Sequence, residues 1–271
     1  MKIVDLGPVT APLLAFGGPA SNLQAMEALI ALGHPAGQAL CTGDSVAYGA
    51  DPAATVAALR AYGCAVVAGN VEAQLAAGRD ACGCGFGEGS ACDLAARRWY
   101  AHAAAEIDAQ ARAWMAGLPE AVRFELGALR GIAIHGGARD AARFLWPSSP
   151  DAAFREEVDA LEAVAGPIDL VVAGHCGLAF ARTIWREDGA RLLRWINAGV
   201  IGLPAHDGRP ETRYALIDQA GHVVFHRLSY AYETAAAAMH EAGLVQGYED
   251  TLSTGIWPSQ EVLPPELRRP D

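Results

Sequence analysis

Four polar residues each stand against a glycine at the end of a short apolar run: Asp44 after Gly43, Asn70 after Gly69, His135 before Gly136 and His175 after Gly174. A carboxylate, an amide oxygen and two imidazoles are donors that suit zinc, iron or manganese. Brought together, the quartet could therefore hold a metal ion. Taken singly, each has a commoner explanation, because an Asp after Gly is usually a turn residue and a lone His is more often a hydrogen-bonded structural residue. A second candidate set is sulfur: Cys82-Gly83-Cys84 and Cys92 share one glycine-rich stretch. Thiolates there would favour zinc or iron, although their spacing is not the usual Cys-x₂₋₄-Cys zinc pair, and packing or local capping is the alternative. His206, beside Asp207, is a candidate acid or phosphate contact, with a solvated loop histidine as the alternative.

Short apolar runs alternate with amphipathic stretches through the first two thirds of the chain, the pattern of βαβ units and a largely parallel sheet. Strands are expected at Leu13–Phe16, Ala39–Thr42, Ala65–Ala68, Val122–Leu126, Arg130–Ile134 and Leu170–Ala173. Helices are expected where Ser21 can cap a stretch carrying Leu23, Met26, Leu29 and Ile30, at Pro52–Tyr62, over about 92–118 and near Asp151–Val164. Arg191–Ile196, Tyr214–Ile217 and Val223–Leu228 read as an antiparallel continuation, followed by a helical C-terminal extension over about 232–271 whose helix runs from about Tyr232 to Ser253. The Cys/Gly-rich loop, about 78–92, is too long to be a simple connector. Ligands of open α/β sheets bind beyond the carboxyl ends of the strands, so residues at those ends can converge.

A length of 271 residues suits one large α/β domain, 1–271, and 52% hydrophobic with 19% charged residues is an ordinary globular balance. Twenty basic against 31 acidic residues give a net charge of −11 with no basic stripe, which excludes nucleic-acid binding by electrostatic attraction. No stretch approaches the roughly 18 apolar residues of a membrane span, and the opening lacks the apolar core of a signal peptide. A cytoplasmic protein without a membrane partner is expected. Its six cysteines should then be reduced thiols, with no disulfide framework.

In their order and contexts, Gly43-Asp44, Gly69-Asn70-Val71-Glu72, His135-Gly136 and Gly174-His175 resemble the successive motifs of calcineurin-like metallophosphoesterases. The resemblance covers residues 13 to about 204. Through Tyr48-Gly49-Ala50-Asp51-Pro52 and Asn197–Pro204 it is closest to a compact bacterial and archaeal branch that includes small phosphodiesterases. It implies an α/β sandwich of two mixed β-sheets flanked by helices. It also implies a two-metal site in which Asp44 matches the bridging aspartate and Asn70, His135 and His175 match the other ligands of the second metal. The family's opening Asp-x-His-Gly-Asn appears here as Gly18-Pro19-Ala20-Ser21-Asn22, and its closing Gly-His-Thr-His as Gly174-His175-Cys176-Gly177, so three ligands of the first metal are missing. Val71 stands where many members place the histidine that helps protonate the leaving group.

The function implied by the resemblance is a metal-dependent phosphoesterase, a phosphodiesterase or phosphomonoesterase, using a metal-activated water at an altered, mononuclear site. Two ions per chain would be held if Cys82, Cys84 and Cys92 rebuilt the missing half. The alternative is a family member that lost hydrolysis and binds a metal or phosphorylated ligand. The expected cofactor is a divalent transition metal (zinc, iron or manganese) and the expected partner a small phosphorylated substrate or ligand. The tail bearing Tyr248 and Trp257 could pack over the domain or against a second copy in a homo-oligomer.

Overall fold

The computed structural model describes residues 1–185, 189 and 192–269. In chain order its elements are β1 (Ile3–Val9), β2 (Leu13–Phe16), α1 (Leu23–Ile30), β3 (Ala39–Cys41), α2 (Pro52–Tyr62), β4 (Ala65–Val66), α3 (Asn70–Ala76), α4 (Ala91–Glu106), α5 (Ala109–Gly117) and β5 (Ala121–Leu126). There follow β6 (Leu129–Ile134), α6 (Asp151–Ala165), β7 (Leu170–Ala173), β8 (Ala179–Trp185), β9 (Leu192–Ala198), β10 (Thr212–Ile217), β11 (Val223–Leu228), α7 (Tyr232–Glu241) and α8 (Tyr248–Thr254). The strands form two mixed sheets, in the orders β1-β5-β6-β7-β9-β8 and β11-β10-β2-β3-β4.

The period of two along each strand decides which residues join the sheets. In β2, Leu13 and Ala15 point into the layer between the sheets, while Leu14 and Phe16 point outward to Met26 and Leu29 of α1 and Leu59 of α2. In β7, Leu170 and Val172 enter the same central layer, and Val171 and Ala173 face Phe154, Val158 and Leu161, one stripe of α6. Both strands are therefore apolar at every position, as strands covered on both faces require. The result is the expected sandwich of two mixed β-sheets with helices on the outer faces. Among the described residues no helix is long and apolar enough to cross a membrane.

Several expectations are corrected. Helix α1 is capped by Asn22, whose side chain accepts from the Ala25 N–H at 3.0 Å, because Ser21 is turned into the left-handed region (φ 59) and its hydroxyl accepts from Ala47 N–H instead. The single helix expected over 92–118 is two, since Asp108 takes an extended backbone, accepts from the Ala111 N–H and starts α5 afresh. The tail is likewise two helices, α7 and α8, and residues 270–271 of the extension lie outside the described residues, as does Arg191 at the start of the expected strand. Strands β1 and β8 carry no clean alternation in sequence. Each forms at an edge of the six-stranded sheet, β1 against β5 and β8 against β9. The cysteines are not all thiols: Cys82 and Cys84 are joined in a disulfide, leaving Cys41, Cys64, Cys92 and Cys176 free.

Candidate metal centre

The two sheets each contribute half of one cluster at the carboxyl ends of their strands. Asp44 follows β3 and Asn70 opens α3 after β4, both from the five-stranded sheet, while His135 follows β6 and His175 follows β7, from the six-stranded one. They meet at one atom. His135 Nε2 lies 3.2 Å from Asp44 Oδ2, 3.0 Å from Asn70 Oδ1 and 3.1 Å from His175 Nδ1. On the other side of the ring, Nδ1 lies 2.6 Å from the Thr42 carbonyl, which can only accept, so Nδ1 carries a hydrogen. A neutral His135 then has a bare Nε2 facing two more acceptor oxygens, with the His175 Nδ1 as the one neighbour able to carry a hydrogen. Even protonated, its one Nε2–H could not serve both oxygens.

That crowding of lone pairs is what a cation relieves. The donor atoms of Asp44, His135 and His175 all lie within 4.8 Å of one another. Asn70 presents its oxygen inward because its amide nitrogen donates outward, to the Cys82 carbonyl at 3.0 Å and Cys84 Sγ at 3.4 Å. The donor chemistry, one carboxylate, one amide oxygen and two imidazoles, fits a divalent transition metal.

Backbone geometry holds the cluster in place. Asp44 (φ 55) and His175 (φ 61) both sit in the left-handed region, which costs a non-glycine residue of order 1–3 kcal/mol and persists only where surroundings over-determine it. Gly43 (φ +97) must be glycine for a second reason: a Cβ there would lie 2.7 Å from Gly69 N and 2.8 Å from His135 Nδ1. The chief clamp is Glu72, fully buried on α3. One of its oxygens accepts from the Asp44 N–H (3.0 Å) and Gly69 N–H (2.8 Å), and the other from the Ser45 N–H and hydroxyl (both 2.6 Å). On the His175 side, Asn197 donates to the Gly174 carbonyl at 2.6 Å and accepts from the Gly199 N–H at 3.0 Å.

Charges inside the cluster are interdependent. Burial pushes the Asp44 carboxyl up, but the two histidines outweigh it and hold it below its ordinary value. Burial pulls His135 down, and Asp44 with the Thr42 carbonyl holds it above its ordinary value. Burial and the neighbouring His135 drive His175 down to about 4, so that ring is neutral near pH 7 and keeps a lone pair to share. A metal ion would replace the proton that Asp44 draws onto His135.

The remaining sequence candidates lie nearby in different states. The linked sulfurs of Cys82 and Cys84 are not thiolates, and Cys84 lines the pocket over the cluster together with Cys92. Burial raises the Cys92 thiol above its ordinary value although Ser259 donates to it. Cys176, beside His175, is held protonated by burial, up to about 12. His206 turns away from the cluster to the C-terminal segment: its Nδ1 accepts from the Trp257 N–H at 2.9 Å and its Nε2 bonds Gln260 Oε1 at 3.1 Å.

No family model and no curated protein matches the chain. Solved structures do. A metallophosphoesterase from Sphaerobacter thermophilus is similar with a TM-score of 0.69 at 21% identity, over 91% of this chain and 100% of that one. A hypothetical protein from Pyrococcus horikoshii OT3 is similar with a TM-score of 0.70 at 14% identity, over 91% of this chain and 99% of that one. The chain has the calcineurin-like metallophosphoesterase fold.

Within this metallophosphoesterase fold, the segment Gly18–Asn22 offers the cluster no donor side chain. Gly18 and Ala20 line the pocket wall, Ser21 is spent on Ala47, and Asn22 caps α1 while donating to the Gly202 carbonyl at 3.1 Å. Val71 is buried among Val46, Leu75 and Trp99 and gives Asp44 Oδ1 only its N–H, at 3.5 Å. What sequence reading missed is the pocket itself. A pocket opens over the cluster, walled by Phe86 from the cysteine loop, Phe144 and Trp146 after His135, and Tyr248 and Trp257 from the tail. Phe144 and Trp146, nine and eleven residues downstream of His135, were the available local signal; the tail aromatics reach the site only through tertiary packing.

Proposed function

We propose that the chain is a metal-dependent phosphoric ester hydrolase holding one divalent transition-metal ion with Asp44, Asn70, His135 and His175. The observation that carries the reading is His135 Nε2, which faces two acceptor oxygens and the His175 Nδ1 at 3.0–3.2 Å while its other nitrogen is committed to Thr42. When bound, a divalent ion would polarise the phosphoryl oxygen and lower the pKa of a water from 15.7 towards about 7.

The chain's own residues supply the rest. Thr42 fixes the His135 ring so that Nε2 faces inward, and Cys82 with Cys84 does the same for the Asn70 oxygen, which spares the ion the cost of ordering its ligands. Glu72 keeps the Asp44 loop in its left-handed turn. Tyr48 and Tyr248 line the pocket as phenols that burial holds protonated, leaving them able to donate a hydrogen bond to a departing oxygen.

A second reading, binding without turnover, draws support from one feature: Val71 and the Gly18–Asn22 segment remove side chains that would hold a second ion or carry a proton. One experiment separates the two. Protein purified without added metal or chelator is assayed for metal content and for hydrolysis of bis(p-nitrophenyl) phosphate, beside His135→Ala and Cys84→Ala. About one ion per chain with turnover, both lost in His135→Ala, is expected; Cys84→Ala, which removes one support of the Asn70 amide, should still take up one ion but hold it more weakly. One ion without turnover would favour the binding reading, and no metal in any variant would sink both.

A further inference from the structure

The pocket over the cluster is unusual in its walls. Among the described residues that line it there is no lysine or arginine, and its charge comes from Asp44 and the two histidines alone. Three of its aromatic side chains, Phe86, Phe144 and Trp257, are only partly buried and so present ring surface to the space. Phe144 is held rather than mobile. It stacks on Trp146 with ring centres 5.1 Å apart and planes 2° apart, and lies 4.4 Å from the His175 ring, which puts an aromatic face directly beside a ligand of the proposed ion. Phe86 flanks it at 6.2 Å. Trp257, from the tail, is pinned by its ring N–H to the Pro204 carbonyl at 2.9 Å and by its backbone N–H to His206.

Charge balance restricts what can enter. A divalent ion would be the one strong cation here, with the Asp44 carboxylate beside it and the buried Glu72 carboxyl group behind, so the less negative charge a ligand brings, the more easily it is seated. A phosphodiester brings one negative charge. A phosphomonoester brings about −1.5 to −2 at pH 7, and the surplus would stay in an apolar pocket with no guanidinium or ammonium to meet it. The net charge of −11 gives no help from outside.

We propose that this site takes a monoanionic phosphodiester through an uncharged aromatic ester group, seated against Phe86, Phe144 and Trp257, and discriminates against phosphomonoesters. This rests on the metal-dependent phosphoesterase reading and names its substrate class. An aryl group buries more apolar surface than an ethyl group and gains ring-on-ring contact besides, so a preference of about tenfold for an aryl diester over an alkyl one follows.

Binding, measured apart from turnover, is the test. The full-length chain loaded with manganese is titrated calorimetrically with diphenyl phosphate, diethyl phosphate and phenyl phosphate. The expected order places diphenyl phosphate about tenfold or more tighter than either of the others, at one site per chain. Phe144→Leu and Trp257→Leu, checked for folding by circular dichroism, should each cut the diphenyl-over-diethyl preference several-fold. Equal affinity for the two diesters, phenyl phosphate binding as tightly as diphenyl phosphate, no binding of any of the three, or an unchanged preference in both folded variants would overturn the inference. Failure of the underlying reading looks different: a chain that takes up no metal yet still prefers the diaryl ester would sink the hydrolase and leave the aromatic subsite standing.

Discussion

Glu72→Gln is the sharpest perturbation of the proposed metal centre, because it changes one atom of a residue whose hydrogen bonds go to backbone N–H groups and Ser45 rather than to a proposed ligand side chain. Glu72 accepts four hydrogen bonds, two on each carboxylate oxygen, from Asp44, Ser45 and Gly69. Glutamine keeps one oxygen and turns an NH₂ towards the other pair of donors, so two hydrogen bonds to a charged acceptor are lost at about 1.5–3 kcal/mol each. Part of that loss is offset. Burial, with the Asp44 carboxylate beside it, raises Glu72 above its ordinary value, so the charge is costly to keep and the neutral amide removes that cost. A net destabilisation of about 2–4 kcal/mol follows, a large fraction of the roughly 5–15 kcal/mol that holds a domain together. With its clamp weakened, the Asp44 loop relaxes from φ 55, and metal affinity should fall by about 10–100-fold, as for other residues that orient a ligand from behind. Urea denaturation followed by tryptophan fluorescence gives the stability, and competition with a chromophoric chelator gives the affinity. A variant within about 0.5 kcal/mol of the parent, with unchanged metal affinity, would refute the assignment of Glu72 as the clamp.

Other consequences can be checked independently. Phe154→Ala should cost about 3–5 kcal/mol in denaturant unfolding, since Phe154 is fully buried, packs edge-on against Trp195 at 5.2 Å and anchors α6 to the six-stranded sheet. Denatured protein should react with a thiol reagent at four cysteines before reduction and six after it; six at the outset would remove the Cys82–Cys84 bond. Stability should fall as pH drops below about 6.5 in part through His206, which burial holds below its ordinary value of 6.5 and whose Nδ1 must stay bare to accept from Trp257. The unfolded state then binds the proton first, so this contribution is complete above 6.5 and is lost on acidification. His206→Gln should flatten the pH dependence, and an identical slope in the variant would count against it.

Much of the architecture is written locally. The uninterrupted apolar runs of β2 and β7, the Pro52 start and Gly63 stop of α2, and the stripe of Phe154, Val158 and Leu161 on α6 all lie where periodicity and punctuation put them. So does the placement of the four polar residues just past strand ends, because a side chain that leaves a buried strand beside a glycine is marked by its neighbours alone. Other features depend on partners remote in sequence. Strand β1 reads poorly because Asp5, Gly7 and Pro8 break its alternation, and only pairing with β5, more than a hundred residues away, makes it a strand. Asn22 outcompetes Ser21 as the cap of α1 because Gly202 holds its amide and Ala47 takes the serine hydroxyl. Sequence order could name Asp44, Asn70, His135 and His175, but their meeting around one nitrogen is a property of two sheets packed face to face, and no spacing along the chain encodes it. The same holds for Glu72 as a clamp and for the aromatic walls. Phe86, Phe144 and Trp257 come from three distant segments, and only the packing of loop and tail over the sandwich turns three ordinary aromatics into one binding surface.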